Sequence, residues 1–450
     1  MRDDAWADLV SRAQAILDHN RRGAYTSPSG ELYPHQWLWD SCFVAIGVAR
    51  YDAPRAADEL RALFRGQWSN GMLPHMVFAD GVGDLGSRTV WRSHRHAPAP
   101  RDVATTCITQ PPLVAIATER VARGLPERAR AELLAELWPR IVAYHSWCYD
   151  ERDLQQGGLV TLIHPWECGL DSTPPWMAVL RQMPMPAWLR TVERLHLART
   201  FRSLRYDTRL LPASERASDD DGLRMIALAV HAKRYGFELR RMPRRENDAL
   251  VEDLAFNAML AAANAALERI TAELDEKLPP ELASSMARTR DALETLWHEP
   301  SGQYRSRHAV THEPLVQPSI ATLLPLWAGT PGRDRTERLI ELLTQPDRFW
   351  PEYPVPSVPV RATQFQESRY WKGPTWVNMN WAIVQGLRSA SADGIDGAAE
   401  LADRLRDRTL EMVAASGFSE YFSAHTGAGY GADDFSWTAA LVIDLALDPG

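Results

Sequence analysis

With residues set about 100° apart around a helix axis, Trp6, Leu9, Val10, Ala13, Ile16 and Leu17 share one face, so the chain begins with an amphipathic helix. The same period runs through 53–68, 110–124, 126–149, 222–236, 249–274, 280–298, 332–345, 395–415 and 435–447. Near 40–50, 319–328 and 376–389 the runs are shorter and more continuously apolar, the pattern of buried helices. Twelve or thirteen helices follow from these stretches. Strand patterns are short and few, chiefly LVTLI at 159–163 and GQYRSR at 302–307.

Long polar stretches separate the helices, at roughly 69–108, 164–190, 203–218, 346–375 and 417–434. Loops of that length in a compact domain usually carry function. No segment has linker composition and there is no strict repeat, so residues 1–450 are expected to form a single domain, with the loops at about 69–108 and 164–218 as a cap. Many successive helices joined by long loops suit an all-α toroid, an inner ring wrapped by an outer one. A plain helical bundle would not need such loops.

Composition changes this picture in one respect. The chain has ordinary globular proportions, with 45% apolar and 24% charged residues. Its net charge of -8, with no strongly basic segment, disfavours a nucleic-acid partner. No apolar run approaches the roughly 18 residues of a membrane span, and the acidic start MRDDAWADLV is unlike a secretory signal, so a cytoplasmic location is expected. Cys42, Cys107, Cys148 and Cys168 lack CxxC spacing and read as reduced thiols. The 17 tryptophans are the exception, because many stand beside Gly, Pro, Asp or Gln. A tryptophan on a polar loop offers a flat apolar face to a sugar ring, with an N–H at its rim.

The chemistry-bearing residues cluster in these loops. LYPHQWLWDSCF (32–43) sets Tyr33, Trp37, Trp39 and Asp40 at the mouth of an apolar helix, which Asp40 is also suited to cap. ITQPPL (108–113) puts Gln110 at another helix start. HPWECGLDSTPPW (164–176) carries Trp166, Glu167, Gly169, Asp171 and Trp176, and its glycine and Pro174-Pro175 argue against a regular helix through the two acids. ESRYWKGPTWVNMNW (367–381) spaces Trp371, Trp376 and Trp381 five apart. GFSEYFSAHTGAGYGADDFSWTAA (417–440) holds Glu420 among aromatics, then a glycine-rich loop without a phosphate-binding pattern, then Asp434 at a helix start. His94 and His96, two apart on a loop, make a weak metal motif, and no metal or cofactor is expected.

Six motifs in this order, YPHQWLWD, QWSNGMLPHMVF, ITQPP, PWECGLD, YWKGPTWVNMNW and SEYFSAHTG…FSWTAA, resemble the mannosylglycerate and glucosylglycerate hydrolases of glycoside hydrolase family 63. More distantly they resemble processing α-glucosidase I and trehalase. The resemblance spans about residues 30–445 and implies an (α/α)6 barrel and inverting hydrolysis of an α-linked glucosyl or mannosyl unit from a small acceptor. It also implies a general acid at Asp171, a general base at Glu420, and a sugar pocket lined by Tyr33, Trp37, Trp39, Gln110, Trp166, Trp371, Trp376 and Trp381. Asp40, Glu167 and Gly169 stand in the same motifs as candidate substrate contacts. Arg216, in SERASDDDG, would hold an acceptor carboxylate. Two positions depart from the relatives. Gly222 stands where they carry tyrosine, and Asp434, where they carry glutamine, would either repel a glycerate carboxylate or cap the last helix.

The residues support this reading on physical grounds. An inverting glycosidase needs one protonated and one ionised carboxyl, about 6.5–9.5 Å apart. Carboxyls roughly 250 residues apart in sequence can face each other across a barrel, and indole walls would raise the acid's pKa. The partner is then a small sugar substrate, with homo-oligomerisation left open. A neutral disaccharide or oligosaccharide is the alternative substrate. A sugar epimerase, using His35, His75, His94, His96 or His164, is the alternative enzyme. A sugar-binding protein without activity would have lost one of the two carboxylates.

Overall fold

The computed structural model describes residues 6–30, 32–80, 90–184 and 211–448. Its helices sort into two kinds by burial. Leu38–Val48 is buried along its whole length, and Ser436–Ala446 along all but its last residue. Leu254–Glu273 and Val377–Ala392 are buried over most of their surface. In the first two the apolar residues leave almost no polar face. Helices such as Ala7–His19, Ala53–Phe64 and Ala398–Ser416 are amphipathic and keep one face in solvent.

Packing orders the two kinds. Leu38–Val48 lies against Val114–Arg123, then follow Leu254–Glu273, Pro325–Ala328, Val377–Ala392 and Ser436–Ala446, which returns to Leu38–Val48. The amphipathic helices pack on this closed succession: Ala7–His19 on Ser436–Ala446, Ala53–Phe64 on Leu38–Val48, and Ala398–Ser416 on Val377–Ala392. The closing contact is tight. A Cβ built on Gly47 would lie 2.1 Å from the carbonyl oxygen of Ala440, so this crossing requires glycine.

Local chemistry sets the helix ends. Asp52 accepts from the Arg55 N–H at 3.1 Å and caps Ala53–Phe64. Asp40, expected as an N-cap, is not one. The N-cap is Trp37, which makes no side-chain cap bond, and Asp40 lies inside the first turn. The 164–176 stretch begins with a 3₁₀ turn, Pro165–Cys168, closed by Gly169 at φ +76°. Helix Pro174–Gln182, expected as loop, starts five residues after Gly169, with Asp171 in the link between. Its two prolines occupy the first turn, where a missing N–H costs nothing.

The expected strands reduce to short ladders. Thr161–Leu162 and Arg307–His308 flank Val251–Glu252 in an antiparallel three-stranded sheet, and Gln303–Tyr304 pairs with Trp297–His298. The expected cap falls partly on 81–89 and 185–210, outside the described residues. Helix Asp219–Arg234 follows the latter segment, and its N-cap Ser218 accepts from the Asp221 N–H. All four cysteines are buried and free. Among the described residues no helix is long and apolar enough to cross a membrane.

Candidate active site

A cavity of about 300 Å³ opens where several of the buried helices begin. Trp37, Trp39 and Asp40 come from the start of Leu38–Val48, Phe435 and Trp437 from the start of Ser436–Ala446, and Gln110 from just before Val114–Arg123. Trp166, Gly169 and Asp171 come from the 164–176 stretch. Helix Asp219–Arg234 adds Gly222, Met225 and Ile226. The wall is therefore built from helix beginnings and from the loops between them.

Three carboxyls stand on it. Asp171 is half-buried, and burial pushes its pKa up to about 8. The charge of Glu420 raises it further, while Arg216 and a long hydrogen bond from the Tyr370 hydroxyl, 3.5 Å, oppose the rise. Glu420 is buried among donors. It accepts from the Tyr33 hydroxyl at 3.0 Å, the Ala432 N–H at 3.0 Å and the Arg216 guanidinium at 3.2 and 3.3 Å. Asp40 is buried beside both, and burial drives its pKa well above the carboxylate range, with the Glu420 and Asp171 charges adding to the effect.

The backbone fixes this arrangement. Glu420 precedes the Tyr421–Phe422 strand, which pairs with Gly429–Tyr430, and its N–H bonds the Ala432 carbonyl at 2.8 Å. Arg216 stacks on the Tyr370 ring at 4.2 Å and donates to the Tyr33 hydroxyl at 2.5 Å. A Cβ on Gly169 would strike the Trp39 ring at 2.6 Å, so glycine admits both this left-handed turn and the indole beside it.

Residues 33–438 match the family model of the mannosylglycerate hydrolase MGH1-like glycoside hydrolase domain. The chain belongs to this family. A mannosylglycerate hydrolase of Thermus thermophilus is 38% identical over 439 residues, 96% of this chain and 99% of that one. A glucosylglycerate hydrolase of Mycolicibacterium hassiacum is 32% identical over 453 residues, 97% of each chain. The crystal structure of a family 63 mannosylglycerate hydrolase from T. thermophilus, in complex with Tris and D-glycerate, superposes with a TM-score of 0.85 at 35% identity, covering 97% of this chain and 99% of that one. The chain is thus a glycoside hydrolase of the MGH1-like type.

Within this glycoside hydrolase the cavity gathers Tyr33, Trp37, Trp39, Asp40, Gln110 and Trp166, with Gly169, Asp171, Arg216 and Glu420. Six other residues singled out in the sequence stand elsewhere. Trp371 and Trp376 are fully buried and stacked at 3.8 Å, a layer behind the wall, where Trp371 approaches Trp39 and Trp376 approaches Tyr421. Trp381 is deeper still and donates to Asp444 at 2.8 Å. Trp176, from the same stretch as Asp171, is likewise buried and donates to Asp253 at 3.0 Å. Their helices turn Trp176 and Trp381 inward, whereas Trp371 and Trp376 are placed by the short turn and the extended backbone that lead into Val377–Ala392.

Glu167 is neither a sugar contact nor a solvated side chain. It is completely buried, holds Arg152 at 2.8 and 3.1 Å, and accepts the Ile163 and Thr109 N–H groups. Asp434 is exposed at φ +49°, off the cavity wall, and does not cap the last helix, whose N-cap is Phe435. Its carbonyl accepts from Asn20 at 2.7 Å. Tyr370, Phe435 and Trp437 were not anticipated on the wall. All three lie inside recognised motifs, and the reading of those motifs favoured the neighbouring tryptophans over Tyr370. His75 and His164, the epimerase candidates nearest the wall, are buried imidazoles that burial pushes down to about 3 and about 4. They pack behind Trp37 and Trp166.

Proposed function

We propose that this chain is an inverting α-glycosidase that hydrolyses a glucosylglycerate or mannosylglycerate within an (α/α)6 barrel. Support for the barrel comes from the closed succession of buried helices and the amphipathic helices packed outside them. The substrate reading is supported by the names of the relatives and by the glycerate-bound structure. The observation that carries the chemistry is one cavity wall with two carboxyls in opposite surroundings. Asp171 is kept protonated near neutrality, with its pKa pushed up to about 8, and Glu420 is surrounded by donors.

In this reading Asp171 gives its proton to the glycosidic oxygen as that bond breaks. Glu420 takes a proton from the water that attacks the opposite face of the sugar, so an α-glycoside yields the β-sugar. Indole faces supply the apolar walls. Among the described residues the ring N–H groups of Trp37 and Trp437 have no protein acceptor, and both are sealed from solvent behind the wall. Asp40, whose pKa burial raises, lies on the same wall within reach of a sugar. Arg216 is the basic side chain on the described wall and the candidate partner of a glycerate carboxylate.

One observation favours a neutral aglycone as the second reading: the Arg216 guanidinium is already paired with Glu420. Incubation with α-glucosylglycerate, α-mannosylglycerate and a neutral α-glucoside, followed by proton NMR before mutarotation, tests both readings. Release of the β-sugar from a glycerate substrate is expected. Preferential turnover of the neutral glucoside would favour the second reading, and an α-product would overturn inversion.

A further inference from the structure

Three segments of the site meet at one buried charge. Asp221 lies in the first turn of helix Asp219–Arg234, next to the wall residue Gly222, and its side chain is 1% exposed. One of its oxygens holds the Lys372 ammonium at 2.6 Å, and Lys372 is itself 7% exposed. The other oxygen faces the Arg181 guanidinium at 3.5 Å, on helix Pro174–Gln182, which follows Asp171. Lys372 ends the short turn Tyr370–Lys372. The same turn is tied to the 215–216 segment by its backbone. The Tyr370 N–H bonds the Glu215 carbonyl at 3.2 Å, and the Arg369 side chain bonds the Arg216 carbonyl at 3.1 Å.

A buried ion pair is a costly device for stability alone, because desolvation consumes much of its attraction. What this pair does is fix position. Tyr370 sits two residues from Lys372, with its ring under the Arg216 guanidinium and its hydroxyl toward Asp171. Asp221 lies five residues from Arg216. Loosening the pair frees the turn and the covering helix to slide against each other. Tyr370 and Arg216 are the groups that would shift first.

We infer that the Lys372–Asp221 pair is a positioning element of the hydrolase, which clamps the covering helix to the Tyr370 turn and thereby sets Tyr370 and Arg216 against Asp171 and Glu420. This rests on the reading of Asp171 as the general acid. Asp171 is faced by Arg216, Glu420, Tyr370, Asp40 and Cys168. Of these, Arg216 and the Tyr370 hydroxyl favour its ionised form. Displacing them raises its pKa further, so the basic limb of the pH profile moves to higher pH.

The test uses the full chain carrying Asp221→Asn and Lys372→Met together, which removes both charges and leaves no lone buried ion. A cooperative melt close to the parent's is expected, with kcat reduced about 10- to 100-fold, as for a small misplacement of a catalytic group. KM should change less, and the basic limb should move upward. In parallel, 13C NMR of Asp-labelled protein follows the Asp171 carboxyl, identified by its loss in Asp171→Asn, and needs no substrate. A folded double variant with the parent's kcat and the parent's Asp171 titration overturns the inference. If the double variant does not fold, Lys372→Arg keeps both charges while spacing the turn and the helix differently, and should shift the titration the same way by less. An unshifted titration there overturns the inference equally. A parent enzyme inactive on glycosylglycerates would defeat the proposed reaction, while the NMR titration would still decide the role of the pair.

Discussion

Replacing Asp171 with asparagine removes the proposed acid without changing the shape of the wall. Its pKa of about 8 is the quantity that matters. At pH 7 an acid of that pKa is about 90% protonated, against roughly one part in 1,500 at the ordinary aspartate value of 3.8. Burial of this side chain therefore multiplies the available acid about a thousandfold. The parent's kcat/KM should hold to about pH 7.5 and fall roughly tenfold per unit beyond about 8.5. Asp171→Asn should lose about 10²–10⁴-fold on a glycerate glycoside. It should lose far less on a glycosyl fluoride, whose leaving group needs no proton, and its basic limb should vanish. The same pKa makes a stability statement. A carboxyl raised in the folded state favours folding fully below its unfolded value, and that contribution is lost as pH rises toward about 8. The asparagine variant should therefore melt higher than the parent at pH 8, with the difference shrinking toward pH 4. Sugar release measured from pH 5 to 10, with calorimetry at pH 4 and pH 8, checks each point. An Asp171→Asn enzyme that keeps near-parent turnover on the glycerate substrate, or keeps the limb, would refute the reasoning.

Glu420→Gln should abolish release of the β-anomer by at least about 10²-fold while leaving KM of the same order, as steady-state assay and early NMR spectra will show. Arg152→Met strands the buried Glu167 carboxylate and should cost about 3–5 kcal/mol, read by urea unfolding, although neither residue lines the cavity. Asp434→Ala should leave kcat/KM and KM for a glycerate glycoside unchanged and alter stability by no more than about 0.5 kcal/mol. A clear gain in glycerate affinity would place that side chain at the acceptor after all.

Most of the helical order was legible in one dimension, because an α-helix writes its burial into the sequence every 3.6 residues. The runs at 40–50 and 376–389 even announced the all-round burial of Leu38–Val48 and the deep burial of most of Val377–Ala392. Asp171 and Glu420 were named as candidate acid and base through the resemblance of their motifs to the family, and the cavity brings the two together. What the chain could not reveal alone was the direction of each side chain. Trp37 and Trp376 look alike in a motif, yet one faces the cavity and the other stacks on Trp371. Glu167 and Asp171 are four residues apart, and a buried arginine claims the first while the cavity receives the second. Gly169 at φ +76° and Asp434 at φ +49° turn the backbone just where those choices are made. Sequence determined which segments are helical and which loops are rich in indoles and acids, because both depend on local spacing. Tertiary structure alone decided which of those groups meet, because that depends on backbone turns and partners brought from more than 200 residues away, as Arg216 is to Glu420.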